Sequence, residues 1–374
     1  MTQLCGPSMD SSSNDTEPIS KSGTARRWLP VLDSYRTPSH SRGVLEIAIT
    51  AVPFALLWIA MWASLQWSYL LTLAIAVPAA GFVVRLFMIQ HDCGHGAFFR
   101  RRRANDWTGR VISVLTFTPY DTWRRSHAVH HASSGNLDRR GIGDITTLTV
   151  SEYYARSWWR RLAYRLYRHP LVLFGLGPAY LFLVQHRFPA EGKLTSWRSW
   201  LSPMATNAAI ALVIMTVMWV VGVRPFLLVQ LPIILLAASM GVWLFYVQHQ
   251  FEDTVWAKDS AWTVHEAALH GSSHYDLPLV LRWFTANIGV HHVHHLCSRI
   301  PYYLFDRVLR DHPELRDVGR LTLLDSLACV RLVLWDETQQ RMISFRQAAR
   351  EFSREARCID QAVCTGPASR AIPR

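Results

Sequence analysis

Nine histidines in this chain stand where their side chains can act together. Eight lie in three short strings, His91-Asp-Cys-Gly-His95, His127-Ala-Val-His130-His131 and His291-His-Val-His294-His295. On a helix, residues four apart share a face and residues three apart lie close beside it. The spacing therefore predicts that His91 and His95 grip one ion together. It predicts the same of His127 with His130 and His131, and of His291 with His294 and His295. His292 sits about 100° around the helix from His291 and is expected to face elsewhere. One metal takes at most about six ligands, so eight imidazoles predict two metals. The ninth, His249, ends a long apolar run at the depth expected for the strings, and completes a set of four or five ligands per metal.

Packed together without a partner, such rings would be costly. Protonated, they repel; neutral and buried, each needs a hydrogen bond. A divalent or trivalent metal satisfies all of them. Zinc hydrolases mix His with carboxylate or Cys and keep a Glu base nearby. Here the HExxH signature is absent: His265-Glu266 is followed by His270, which is about 140° out of register. Nitrogen-rich sites with open positions suit iron or copper and oxygen chemistry. A pair of irons can take hydrogen from an unactivated carbon, provided that water is kept out. Asp92, Asp138, Asp144, Glu252 and Asn287 are candidates to hold the outer ring nitrogens. His40, His169, His186 and His312 read as structural or exposed.

The strings need elements to position them. Half of the 374 residues are hydrophobic and 18% are charged, which is low for a soluble protein. Residues 44–65, 69–90, 205–223 and 225–247 are each apolar for long enough to span a bilayer. Very short links join them in pairs, so the fold class expected is an all-α integral membrane protein. Four transmembrane helices form two hairpins, and a helical cytoplasmic domain carries a His-rich dimetal site. The stretch 111–119 is too short to span, and 171–185 reads as interfacial or re-entrant. Residues 1–40 read as a polar, disordered arm without the apolar core of a signal peptide. Residues 41–356 form one domain, and 357–374 a loose tail.

The net charge of +12 is unevenly spread. The links inside the hairpins carry almost none, while Arg100–Arg103 opens a block rich in arginine. The positive-inside rule then places both termini and all three strings in the cytoplasm, at the inner membrane if the cell is bacterial. Membrane placement accounts for the charge pattern, so no nucleic acid partner is expected. Basic surface beside a bilayer suits anionic headgroups and an acidic soluble partner. Six cysteines without a CxxC pair, on the expected cytoplasmic side, argue against a disulfide framework.

The strings and their surroundings resemble the membrane fatty acid desaturases. Trp123-Arg-Arg-Ser-His127-Ala-Val-His-His131 runs into Gly135-Asn-Leu-Asp-Arg-Arg-Gly-Ile-Gly-Asp144. Then come Phe245-Tyr-Val-Gln-His-Gln-Phe-Glu-Asp253, Gly271-Ser-Ser-His-Tyr-Asp-Leu-Pro278 and Trp283-Phe-Thr-Ala-Asn-Ile-Gly-Val-His-His-Val-His-His-Leu296. These look most like the acyl-lipid, omega-6 (delta-12) branch, over about residues 40–350. The resemblance implies a diiron enzyme that uses O2 as cosubstrate and puts a cis double bond into a membrane-lipid acyl chain. It implies electrons from a soluble carrier such as ferredoxin. It places metal ligands at His91, His95, His127, His130, His131, His249, His291, His294 and His295. In acyl-CoA relatives an Asn one turn before the extra ligand reaches iron through water; here that position is Phe245. His270 and His274 also depart from the branch. No haem motif, cysteine cluster or dinucleotide loop is present, so reducing equivalents are expected from another protein. A lipid or carotenoid hydroxylase or ketolase on the same scaffold is the alternative. A metal carrier would need polar ligands within the spans, whose middles hold no histidine.

Overall fold

The computed structural model describes residues 25–189 and 197–364. A short helix α1 (Trp28–Asp33) leads into α2 (His40–Ser64) and α3 (Tyr69–His95), which pair as a hairpin. Helices α4 (Arg102–Leu115) and α5 (Tyr120–Ser133) follow, then strand β1 (Leu148–Thr149), α6 (Val150–Ala155) and α7 (Trp158–Tyr167). A π-helical turn, Val172–Leu176, precedes α8 (Gly177–Leu183). The second hairpin is α9 (Trp197–Val221) and α10 (Val223–His249).

Four helices among the described residues are long and apolar enough to cross a membrane: His40–Ser64, Tyr69–His95, Ser199–Val221 and Val223–His249. They correspond to the four expected runs and each is a few residues longer, α3 and α10 being the longest. At 1.5 Å per residue, the 27-residue α3 and α10 reach about 40 Å, well beyond a hydrocarbon core of about 30 Å. The surplus turns carry His91, His95 and His249 out of the apolar layer on rigid extensions of the spans. Ser39 and Ser68 cap α2 and α3, accepting from the backbone N–H of Arg42 and Leu71. The stretch 171–185, expected to be interfacial or re-entrant, forms the π turn and α8 and leaves Leu171, Leu176 and Tyr180 exposed.

The last part of the chain caps the helix ends. It holds α11 (Val264–His270), β2 (His274–Asp276), α12 (Leu279–Phe284), α13 (His291–Leu296), α14 (Phe305–Asp311), β3 (Arg320–Thr322), α15 (Leu323–Cys329), β4 (Leu334–Asp336), β5 (Arg341–Ile343) and α16 (Phe345–Cys364). Among the described residues the mainly helical fold thus includes five short strands. They form a sheet of order β1-β4-β5, parallel then antiparallel, and a parallel pair β2-β3.

Buried Arg168 ties these parts together. It donates to Tyr246 Oη at 3.2 Å, Gln250 Oε1 at 2.9 Å and the Leu332 carbonyl at 2.9 Å, joining the end of α10 to the strands. The described part of the arm expected over 1–40 contains α1, whose Trp28 and Leu32 are buried. Residues 1–24 and 365–374 lie outside the described residues, and so do most of the arm and much of the expected tail.

Candidate metal centre

Four helix segments converge on one point. The C-terminal turn of α3 brings His91 and His95; α5 brings His127, His130 and His131; the last residue of α10 is His249; and α13 brings His291, His294 and His295. Two glycines permit the approach. A Cβ at Gly94 would meet the Trp123 ring at 2.9 Å, so a glycine is needed for α5 to lie against α3 there. Trp123 stacks on His127 with centroids 4.6 Å apart. Gly143 has φ +75°, and a Cβ there would crowd His130 at 3.2 Å; the loop needs it to deliver Asp144.

All nine predicted histidines meet, in two groups. His91, His95, His127, His131 and His294 form one, and His130, His249, His291 and His295 the other. Within each group one nitrogen per ring lies within 4.8 Å of the others. Closest approaches between Nε2 atoms run from 3.0 Å, for His127 with His95 and His291 with His249, to 3.2 Å for His130 with His249.

The grouping corrects the expected one. Neither HxxHH string lies within a single group. His127 and His131 stay together, as do His291 and His295, but His130 and His294 cross to the opposite groups. Helix geometry gives the reason. Position i+4 lies about 40° to one side of position i, and i+3 about 60° to the other, so adjacent i+3 and i+4 rings diverge by about 100°. Two strings on facing helices thus exchange one ring each, which couples the groups. His131 and His295, from different groups, stack 4.1 Å apart at 14°.

Outer nitrogens fix several rings. His130 Nδ1 donates to Asp144 Oδ1 at 2.5 Å, His91 Nδ1 to Asp92 Oδ1 at 3.2 Å, and His249 Nδ1 to the Gly271 carbonyl at 3.2 Å. A neutral ring carries a single N–H. In neutral rings with that proton spent on Asp144 or Gly271, the Nε2 lone pairs of His130 and His249 would face each other 3.2 Å apart and repel. A cation between them removes the repulsion, so this donor set fits a metal. Burial, and next the neighbouring imidazoles, hold the His127, His131, His291, His294 and His295 rings well below the ordinary histidine range, which keeps them neutral and able to ligate.

The remaining candidates separate. Asp144 and Asp92 reach ligand rings. Asp138 instead accepts from the Asp259 backbone at 2.8 Å, and Glu252 pairs with Arg341 at the surface. Asn287 adopts φ +55° in a turn before α13. His292 faces away, its Nε2 donating to the Leu315 carbonyl at 2.9 Å, and burial together with His274 pushes its pKa down to about 3. His274 donates from Nδ1 to the Arg316 carbonyl at 2.5 Å, and His270 lies 3.6 Å from Glu266; neither joins a group. Phe245 packs 5.1 Å from His130 and 5.3 Å from His249, an apolar wall beside the four-histidine group. Sequence reading missed Tyr302, whose backbone N–H donates to Asp92 Oδ2 at 2.8 Å from 210 residues away. No local signal marks that contact.

Comparison with known proteins places this geometry. The family model described as fatty acid desaturase matches residues 66–322. The chain is 45% identical to a Bacillus subtilis (strain 168) fatty acid desaturase over 313 residues, 84% of this chain and 88% of that protein. The chain belongs to the fatty acid desaturase family. It is 31% identical to an sn-1 acyl-lipid omega-3 desaturase (ferredoxin) of Synechocystis sp., covering 59% of this chain and 62% of that one. To an sn-1 oleoyl-lipid 12-desaturase of Anabaena variabilis it is 24% identical, over 72% and 74%. Family membership makes the chain an oxidoreductase, and the two histidine groups are arranged so that each could hold a metal ion.

Asp144 offers a direct check on this enzyme. Asn at that position can accept through Oδ1 but lacks the charge that strengthens the bond to His130. Losing an outer partner of a metal-ligating histidine costs about 10–100-fold in metal affinity or activity. Asp144→Asn is therefore expected to lose metal to a chelator about 10-fold faster or more, with its helical circular dichroism unchanged.

Proposed function

We propose that this desaturase binds two iron ions, one in each histidine group, and uses O2 to introduce a cis double bond into an acyl chain of a membrane lipid. The observation that carries this reading is the convergence of nine imidazoles from four helix segments into two adjoining groups at the ends of apolar helices. On this reading His91, His95, His127, His131 and His294 hold one iron, and His130, His249, His291 and His295 the other. Irons bound there supply the activation of O2 that allows hydrogen to be taken from an unactivated methylene. Overall, two adjacent methylenes lose two hydrogens, and O2 takes up these with two electrons and two protons to leave as two waters.

The chain itself positions and shields. Its helix ends hold the rings, Asp144, Asp92 and the Gly271 carbonyl set three of them in rotation and tautomer, and partly buried Phe245 packs as an apolar wall that helps keep water from the centre. The substrate side is supported by the relatives' names, which specify acyl-lipid and oleoyl-lipid desaturases. A soluble electron carrier such as ferredoxin is supported by the relatives named as ferredoxin enzymes. The arginine-rich segment from Arg100 to Arg103 is exposed and suits an acidic carrier. Both termini and the metal centre lie on the cytoplasmic side, a placement that rests on the charge pattern.

Expression in a host lacking the product, with fatty-acid profiling and double-bond location, tests the reading. A new cis-unsaturated acyl chain that needs air and ferredoxin is expected. A hydroxylated chain with no new double bond would replace desaturation by hydroxylation.

A further inference from the structure

The first membrane hairpin contains a charged pair that apolar surroundings would not tolerate without a use. Glu46 on α2 is 1% exposed and Arg85 on α3 is 3% exposed, and Arg85 Nη2 donates to Glu46 Oε2. Arg85 Nε also donates to Thr50 Oγ1 at 3.2 Å, and its Nη1 to the Trp283 carbonyl. Its guanidinium lies 4.0 Å from the centroid of the Trp283 ring and 5.4 Å from that of Tyr302. Arg42 closes the cluster on Glu46 Oε1 at 2.7 Å. Breaking a buried pair leaves an uncompensated charge, so these side chains have essentially one arrangement.

From that fixed point a continuous line of hydrogen bonds runs to the metal centre. Tyr302 Oη donates to Glu46 Oε2 at 3.0 Å. The same residue's backbone N–H donates to Asp92 Oδ2 at 2.8 Å. The other oxygen, Asp92 Oδ1, accepts from His91 Nδ1 at 3.2 Å. Every side chain in the line from Glu46 to His91 is buried. The ring of Tyr302 is pinned at its hydroxyl by the ion pair, and its peptide is pinned on Asp92.

We infer that Glu46, Arg85 and Tyr302 are positioning residues for His91: the ion pair between the two spans sets Tyr302, Tyr302 sets the Asp92 carboxylate, and Asp92 sets the rotation and tautomer of the ligand ring. The inference rests on the reading of His91 as an iron ligand. It gives the pair a role beyond tying two helices together. Other hydrogen-bonded links in the spans, such as Ser64 with Thr72 and Trp58 with Gln230, do not join this line.

Tyr302→Phe removes one oxygen while keeping the ring and the backbone N–H, and is the main test. Arg85→Met, its conservative counterpart Arg85→Lys, and the control Ser64→Ala complete the set. Each purified protein is reconstituted with ferrous iron, and three quantities are read: iron per chain, the rate of iron loss to a chelator, and the thermal midpoint. Tyr302→Phe is expected to lose iron several-fold faster than the parent, toward the roughly 10–100-fold typical of outer partners. Arg85→Met is expected to do the same, with Arg85→Lys recovering part of the difference. Ser64→Ala is expected to change the thermal midpoint alone. Iron loss at the parental rate in Tyr302→Phe would overturn the inference, and so would equal acceleration in Ser64→Ala. If Arg85→Met does not fold, Tyr302→Phe decides alone. A parent protein that binds no iron would instead overturn the metal reading itself.

Discussion

Replacing His130 with alanine is expected to abolish desaturation, while replacing His292 with alanine leaves it largely intact. Both residues are buried, both lie in strings of clustered histidines, and both donate to an oxygen. What separates them is direction. His130 Nε2 points at His249 across 3.2 Å inside the four-histidine group, with Asp144 behind it. Its removal leaves three rings where four converge and strands the Asp144 carboxylate. The loss should exceed the roughly 10–100-fold cost of removing an outer partner alone. His292 ties α13 to the Leu315 carbonyl and packs against His274, outside both groups, so His292→Ala should cost about 1–3 kcal/mol of stability through the unpaired acceptor and lost packing, and little turnover. Acyl-chain profiles and iron content of the two purified variants make the comparison. An active His130→Ala variant with two irons would remove that ring from the ligand set.

Acidification is expected to be the second large effect. The rings of His127, His131, His291, His294 and His295 have folded pKa values held well below 6.5 by burial and by one another. His292, at about 3, behaves in the same way. Above pH 6.5 neither the folded nor the unfolded chain protonates these rings, and they contribute no pH dependence. As pH falls through 6.5 the unfolded chain binds protons that the folded chain refuses, so stability falls with pH. All six rings act in the same direction, so their losses of stability on acidification reinforce one another. Bound metal steepens the effect, since protons compete for the same nitrogens. Thermal midpoints between pH 7.5 and 5 check this: a steep fall beginning near 6.5, with metal release, is expected. A flat profile down to pH 5 would contradict the buried, neutral state of the rings.

Much of this site was legible in the sequence because metal ligation leaves a local mark. Histidine spacing of three and four residues names the rings without any knowledge of the fold. The four apolar runs name the helices that carry His91, His95 and His249 to one level. How the rings divide was not legible. The strings HAVHH and HHVHH each suggest one ion, and only the facing of α5 against α13 shows that His130 and His294 cross over. Outer partners follow the same rule. Asp92 lies next to His91 in the chain, and Asp144 in a glycine-bounded loop shortly after His130, so both could be nominated. Tyr302 and the Gly271 carbonyl act across 210 and 22 residues and carry no spacing signal. Glu46 and Arg85 are visible as isolated charges in apolar runs, but their pairing appears only when α2 lies against α3.

On the proposed reading, two groups of imidazoles hold two irons on which turnover depends. The most direct measurement is metal content against activity in the purified enzyme, before and after chelation and after reloading with ferrous or zinc ions. Two irons per chain are expected, with activity lost on chelation, restored by ferrous iron and not by zinc. Full turnover by protein free of iron, or equal turnover by the zinc-loaded form, would show that the enzyme does not work through iron held by these histidines.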